Sequence, residues 1–143
     1  MIVFIIYFAL FAAVGFACAQ GDLPERLGGI WLLLNAGIHW LVQTFLNDAA
    51  SLHVIIDGVY ATGLLPLAAF YVSWWIGAQT FIAAAGFSLE AYYLLNDMPI
   101  DYPFIAISNV LFICGLLNLA IATGATVWRR SHSGGRLEAH AFG

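Results

Sequence analysis

Apolar residues come in five long runs along the chain. The runs cover residues 2–20, 27–46, 52–71, 75–96 and 103–127. Each is close to 20 residues, about the length that an α-helix needs to cross a ~30 Å hydrocarbon layer. Strands of a membrane barrel alternate apolar and polar residues over about ten positions, and these runs do not alternate. The pattern therefore predicts an all-α bundle of five transmembrane helices over residues 1–128.

The boundary between the third and fourth runs is the least marked, because no charged residue separates them. As one helix, residues 52–96 would span ~65 Å, roughly twice the thickness of a membrane. Pro66 disturbs helical hydrogen bonding near the end of the third run, and Trp74 and Trp75 suit a membrane interface. We therefore expect a helix break between residues 71 and 75.

Composition supports lipid as the main solvent of the chain. Hydrophobic residues make up 63% and charged residues 8%, whereas a soluble domain carries about 25% charged residues. The chain has no lysine and its four arginines form no basic patch, so nucleic acid is excluded as a partner. Cys18 and Cys114 lie inside apolar runs, without the spacing of a zinc or redox pair.

The charged residues also predict an orientation. With five spans, four arginines fall on one side of the membrane: Arg26, Arg129, Arg130 and Arg136. Three aspartates fall on the other side: Asp48, Asp97 and Asp101. Cytoplasmic loops of membrane proteins are enriched in arginine and lysine. The N-terminus is therefore expected outside, with residues 129–143 as a short cytoplasmic tail.

Polar and ionisable side chains recur at helical spacing inside four of the predicted spans. Such groups are costly in lipid, so each one marks a candidate site. They are Asn35, His39 and Gln43 on the second span, His53, Asp57 and Tyr60 on the third, Glu90 on the fourth and Asn109 on the fifth. At ~1.5 Å per residue, one group on each of these spans lies roughly 8–10 Å from the outer membrane boundary. These groups are His39, Asp57, Glu90 and Asn109. The pattern predicts one buried polar cluster in the outer half of the bundle.

Small residues indicate where helices approach each other. Ala83 and Gly86 share a helix face with Glu90, which favours close packing beside the cluster. Ala120 and Gly124 form a small-xxx-small pair on the fifth span. Such a pair serves either packing within one chain or a dimer interface.

One motif resembles a known group of proteins. The sequence PERLGG at residues 24–29, followed by Asn35, Gln43 and Asp57, resembles small integral membrane proteins of unknown function of alphaproteobacterial type. The resemblance extends over residues 1–125. It implies a multi-pass location in a bacterial inner membrane, and it brings no activity, cofactor or catalytic residue with it.

The polar cluster leaves three interpretations open. It is a structural hydrogen-bond network, a proton or cation site, or a metal or cofactor site built from His39, His53, Asp57 and Glu90. Haem would need a second deep histidine opposite His39. No serine or cysteine lies in a nucleophile motif, so we do not expect an enzyme.

The short loops leave little soluble chain for independent machinery. Our first expectation is therefore an accessory, assembly or self-associating subunit that contacts lipid and forms a homo-oligomer or binds other membrane subunits. The alternatives are a small proton- or cation-coupled transport protein using the His/Asp/Glu cluster, and a membrane redox subunit that binds a metal or cofactor.

Overall fold

The computed structural model describes residues 2–46 and 50–139, which form five α-helices and no strand. The helices are α1 (Ile2–Gln20), α2 (Leu23–Phe45), α3 (Ala50–Phe70), α4 (Trp74–Leu95) and α5 (Tyr102–Ala139). The predicted all-α fold with five helices is thus confirmed over the described residues. The expected break between the third and fourth runs lies at residues 71–73, between α3 and α4.

Helix α2 begins earlier than its apolar run does. Asp22 has extended backbone at the N-cap position, Pro24 lies in the first turn and Glu25 follows it. Proline suits the first turn because its missing N–H has no partner there, and an acidic residue favours the positive end of the helix dipole. The polar residues before the predicted start at 27 are therefore part of the helix.

Helix α5 is longer than the predicted span at both ends. At its start, the backbone N–H of Phe104 donates to Asp101 Oδ1 at 2.9 Å, which caps the helix. At its other end the helix continues through Ala139. The segment that we predicted as a tail thus begins as a continuation of α5.

The five described helices pack as a closed ring, with a contact between α2 and α5 across it. Each helix packs against the next in sequence, α5 packs against α1, and α2 also contacts α5. Connections of a few residues make consecutive helices antiparallel. Arg130 donates to the carbonyl oxygen of Gln20 at 3.0 Å and also contacts Asp22, so the end of α5 lies beside the α1–α2 connection.

The two ends of the bundle differ in charge. The end that holds Arg26, Arg129 and Arg130 is called the arginine end below. The end that holds Asp97 and Asp101, in the α4–α5 connection, is called the acidic end. Asp48, which we expected at the acidic end, lies outside the described residues.

The interior is small compared with the apolar exterior. Leu10, Leu64 and Ile76 are among the fully buried side chains, whereas Phe8 and Phe81 are each 76% exposed. Among the described residues, two helical segments are long and apolar enough to cross a membrane, Ser51–Phe70 and Tyr102–Ser133. A shorter apolar helix covers Phe4–Gln20.

Glycines allow two indole rings to enter the bundle. A Cβ atom on Gly28 would lie 2.6 Å from the ring of Trp75, and one on Gly63 would lie 2.5 Å from the ring of Trp31. Trp75 is 2% exposed, so its ring packs inside the bundle. Its neighbour Trp74 is exposed. Of the neighbours Trp74 and Trp75, the one that packs inside the bundle is Trp75, whose ring lies against Gly28.

Candidate functional site

His39 joins helices α2 and α3 through both of its ring nitrogens. Its Nε2 atom lies 2.7 Å from Asp57 Oδ1, and its Nδ1 atom lies 2.6 Å from Nδ1 of His53. Asn35, one turn before His39 on α2, donates from Nδ2 to the same Asp57 oxygen at 3.4 Å. The spacing of i and i+4 on each helix brings these side chains into register.

The contact between the two histidines requires one proton between their facing nitrogens. A neutral His39 that donates from Nε2 to Asp57 accepts at Nδ1 from His53. A protonated His39 donates from both nitrogens, to Asp57 and to His53. The two rings are also stacked, with centroids 4.8 Å apart. The arrangement can therefore hold or release a proton without moving the helices.

This cluster borders a partly open cavity of about 360 Å³ between the helices. The cavity takes polar groups from α2, α3, α4 and α5 and apolar ones from α1, α2, α4 and α5. Its polar lining comprises Asn35, His39, Gln43, Asp57, Tyr60, Gln79, Glu90, Ser108 and Asn109. A cavity with converging polar groups on a largely apolar wall is the usual form of a small-ligand site.

A second network closes the cavity toward the arginine end. The Gln79 amide donates to the hydroxyl of Tyr60 at 2.9 Å. Asn118 on α5 donates to Gln79 Oε1 at 2.9 Å and to the backbone carbonyl of Trp75 at 2.8 Å. All three polar side chains are buried. This network fixes α3, α4 and α5 together at the floor of the cavity.

The structure brings the predicted cluster residues together. Seven of the eight line the cavity: Asn35, His39, Gln43, Asp57, Tyr60, Glu90 and Asn109. The eighth, His53, contacts His39. Of the predicted packing residues, Ala83 and Gly86 also line the cavity.

Ala120 and Gly124 lie away from this site. Ala120 lines an apolar groove between α1 and α5. A Cβ on Gly124 would meet no atom within 4 Å among the described residues. Packing within the chain therefore gives no reason for a glycine at this position.

Sequence reasoning missed a buried carboxylate at the arginine end. Glu25 is 3% exposed, and the hydroxyl of Thr126 on α5 donates to its Oε1 at 3.3 Å. Arg129 donates in turn to Thr126 Oγ1 at 3.0 Å. Glu25 was overlooked because its stretch was interpreted as a loop. A signal was available on α5, where Asn118, Ala122 and Thr126 follow i, i+4, i+8 and are all buried.

The metal candidates do not converge on one point. Among residues 2–46 and 50–139, no group of three or more His, Cys, Asp or Glu side chains could hold a metal ion. Both ring nitrogens of His39 face side chains, Asp57 on one side and His53 on the other. The geometry gives the metal interpretation no support.

Comparisons with protein-family models, with curated proteins and with solved structures find no match to this chain.

Proposed function

We propose that the protein is a polytopic membrane protein of the transport class, in which the cavity beside His39 and Asp57 binds and releases a proton or a small cation. The observation that carries the proposal is the position of His39, held between Asp57 and His53 on the wall of a partly open cavity. A network that served packing alone would be stronger without adjoining space, because empty volume forfeits dispersion contacts.

Large exposed apolar side chains on all five helices support the membrane part of the proposal. Examples, one from each helix in order, are Phe8, Phe45, Ile55, Phe81 and Ile121. Soluble monomers rarely expose continuous apolar patches of more than a few hundred Å². In a bilayer the same surface faces lipid chains. Two helical segments have the length and composition of a membrane span. Because all five helices expose apolar surface, we propose that all five span the membrane.

The charge difference between the two ends supports an orientation. Arg26, Arg129 and Arg130 lie at one end and Asp97 and Asp101 at the other. Under the positive-inside rule the arginine end is cytoplasmic and the cavity lies in the outer half of the membrane. We propose a bacterial inner membrane as the location, in line with the resemblance carried by residues 24–29.

The chemistry of the lining favours positive charge. Asp57 and Glu90 both face the cavity, and none of the described residues that line it is an arginine. Histidine is the side chain that gains and loses a proton near neutral pH, and here its ring contacts a carboxylate. This lining suits a proton or a cation better than an anion, which would meet two carboxylates.

Flux across liposomes tests this function. The purified protein is reconstituted, a pH or cation gradient is imposed, and the internal pH is followed with a trapped dye. We expect the wild type to dissipate the gradient and Asp57→Asn to do so at least about tenfold more slowly, which corresponds to ~1.4 kcal/mol. Asp97→Asn is the matched control, since Asp97 lies in the α4–α5 connection with a φ of 46° that asparagine also tolerates.

Two results would contradict the proposal. One is a folded Asp57→Asn variant, checked by its circular dichroism melting curve, that dissipates the gradient as fast as the wild type. The other is a wild type that moves neither protons nor cations. The second result would favour the accessory, assembly or self-associating role, in which the bundle binds its own copies or other membrane subunits.

A further inference from the structure

His53 lies nearer the acidic end of the bundle than His39 does. Helix α2 ends at Phe45 and α3 begins at Ala50, and because consecutive helices are antiparallel these two helix ends lie at the acidic end. At ~1.5 Å per residue, His53 is ~5 Å from the start of α3 and His39 is ~9 Å from the end of α2. His39 lines the cavity, whereas the half-buried His53 is not among the lining residues. The pair therefore connects the cavity wall to the first turn of α3.

The facing nitrogens of the two rings are aligned for proton transfer. The two Nδ1 atoms are 2.6 Å apart, the ring planes differ by 13° and the ring centroids are 4.8 Å apart. The centroid distance is nearly the nitrogen separation plus the two centre-to-atom radii of a five-membered ring. Both nitrogens therefore lie close to the line that joins the ring centres. A ring N–H bond points away from the ring centre, so the hydrogen between the rings has the nearly straight geometry that hydrogen bonds prefer.

Asp57 continues this path on the other side of His39. Its Oδ1 atom lies 2.7 Å from His39 Nε2, so the two form an ion pair when His39 is protonated. The carboxylate thus balances the charge of a proton that reaches His39. The other titratable groups on the cavity wall are Tyr7, Tyr60 and Glu90.

We propose that His53 is the entry group of a proton relay, through which His39 gains and loses its proton at the acidic end. A His53 ring that holds two protons breaks its Nδ1–H bond while an N–H bond forms at His39 Nδ1. Positive charge moves with the proton from His53 to His39, where it meets the Asp57 carboxylate. The reverse transfer returns the proton to His53. The inference rests on the proposed function, since it names the route by which a proton reaches that site.

Nitrogen NMR on the full-length protein tests the hydrogen that the two rings share. With ¹⁵N-labelled histidine, we expect a scalar coupling between the Nδ1 atoms of His39 and His53, because such a coupling crosses an N–H···N hydrogen bond. The coupling should be absent in His53→Gln and retained in His132→Gln. His132 is exposed on α5, where its Nδ1 atom lies 3.0 Å from the carbonyl oxygen of Trp128. A wild type without the coupling would overturn the relay, whatever its flux.

The liposome assay tests whether the shared hydrogen carries protons. A glutamine at position 53 can still donate a hydrogen bond to His39 Nδ1, but an amide does not gain and lose protons near neutral pH. His53→Gln should therefore dissipate a pH gradient at least about tenfold more slowly than the wild type, with an unchanged melting curve. His132→Gln, the matched control, should dissipate it at the wild-type rate.

The outcomes separate this inference from the proposed function. Proton flux that depends on Asp57 and is as fast in His53→Gln as in the wild type would overturn the relay and leave the proposed function standing. A wild type that carries Na⁺ and no proton would also overturn the relay, while cation binding stands. A wild type that carries neither would overturn both proposals. The nitrogen coupling is measured on the wild type, so it can overturn the relay even where His53→Gln fails to fold.

Discussion

A carboxylate is buried at the arginine end of the bundle and another is partly buried toward the acidic end, but their surroundings differ. At the arginine end Glu25 is 3% exposed, and Gly28, one turn away on α2, lies directly against Trp75. Toward the acidic end the side chains of His39 and Asp57 are 23% and 16% exposed and line a cavity. The half around Glu25, Gly28 and Trp75 is called the packed half below. The half around His39 and Asp57, which holds the cavity, is called the hollow half.

This difference separates two uses of buried polarity. In the packed half, hydrogen bonds such as that from Asn118 to the carbonyl of Trp75 connect elements that already touch. In the hollow half, Asp57 and Asn35 line the cavity, and the buried Asn35 Oδ1 has no hydrogen-bond partner among the described residues. Interhelical hydrogen bonds in membranes average only ~0.6 kcal/mol. Packing, more than polarity, should therefore dominate stability in the first half, and polarity should dominate function in the second.

The largest expected change in stability comes from filling a glycine in the packed half. In Gly28→Ala the new Cβ would lie 2.6 Å from the ring of the buried Trp75. Overpacking costs about 1–3 kcal/mol, against a gain of ~0.5–1 kcal/mol for alanine in a helix. We expect a net loss of unfolding free energy of about 1–2 kcal/mol, measured by titration with sodium dodecyl sulfate in mixed micelles.

Two alanine variants provide controls for this loss. In Gly29→Ala, at the next position on α2, the nearest atoms would lie 3.5 Å from the new Cβ, which is ordinary contact. In Gly86→Ala, in the hollow half, the nearest atom would lie 3.6 Å away. Both should be neutral or slightly stabilising. Equal losses in Gly28→Ala and Gly86→Ala would remove the distinction between the two halves.

Much of the fold followed from the pattern of apolar runs. The five helices and the break at residues 71–73 were predicted because each run is longer than a strand and polar or bulky interface residues lie between the runs. The start of α2 was placed late, since Glu25 and Arg26 look like loop residues until their helix dipole and cap are considered. Sequence also gave no sign that Trp75, and not Trp74, would be buried.

The membership of the polar cluster could be predicted, but not its geometry. Spacing of i, i+4 placed His39 and Asp57 on defined faces, and equal depth suggested that the faces meet. The contact between the two histidines depends on how α2 and α3 rotate against each other, which periodicity does not determine. The cavity depends on side-chain volumes across all five helices. It could not be derived from any one of them.

Two asparagines on α5 give a second, smaller test of the comparison. Asn118 is buried and donates to Trp75 O and Gln79 Oε1, whereas Asn109 lines the cavity. Asn118→Ala leaves the Gln79 oxygen without this donor and should cost about 1–2 kcal/mol of unfolding free energy. Asn109→Ala should cost less than about 0.5 kcal/mol, because its side chain faces open space. A larger loss from Asn109→Ala than from Asn118→Ala would reverse the assignment of the two halves.

The smallest expected change concerns Gly124, which lies on α5 near the arginine end. Its spacing from Ala120 predicted close helix packing, yet a Cβ there would meet no described atom within 4 Å. Gly124→Ala should therefore stabilise the monomer by no more than about 1 kcal/mol, through helix propensity alone. Gly124→Leu extends the test to self-association, measured by analytical ultracentrifugation in detergent. If the wild type is a dimer and Gly124→Leu is a monomer of unchanged stability, the small pair belongs to a contact between chains, and the arginine end gains a role beyond holding the bundle together.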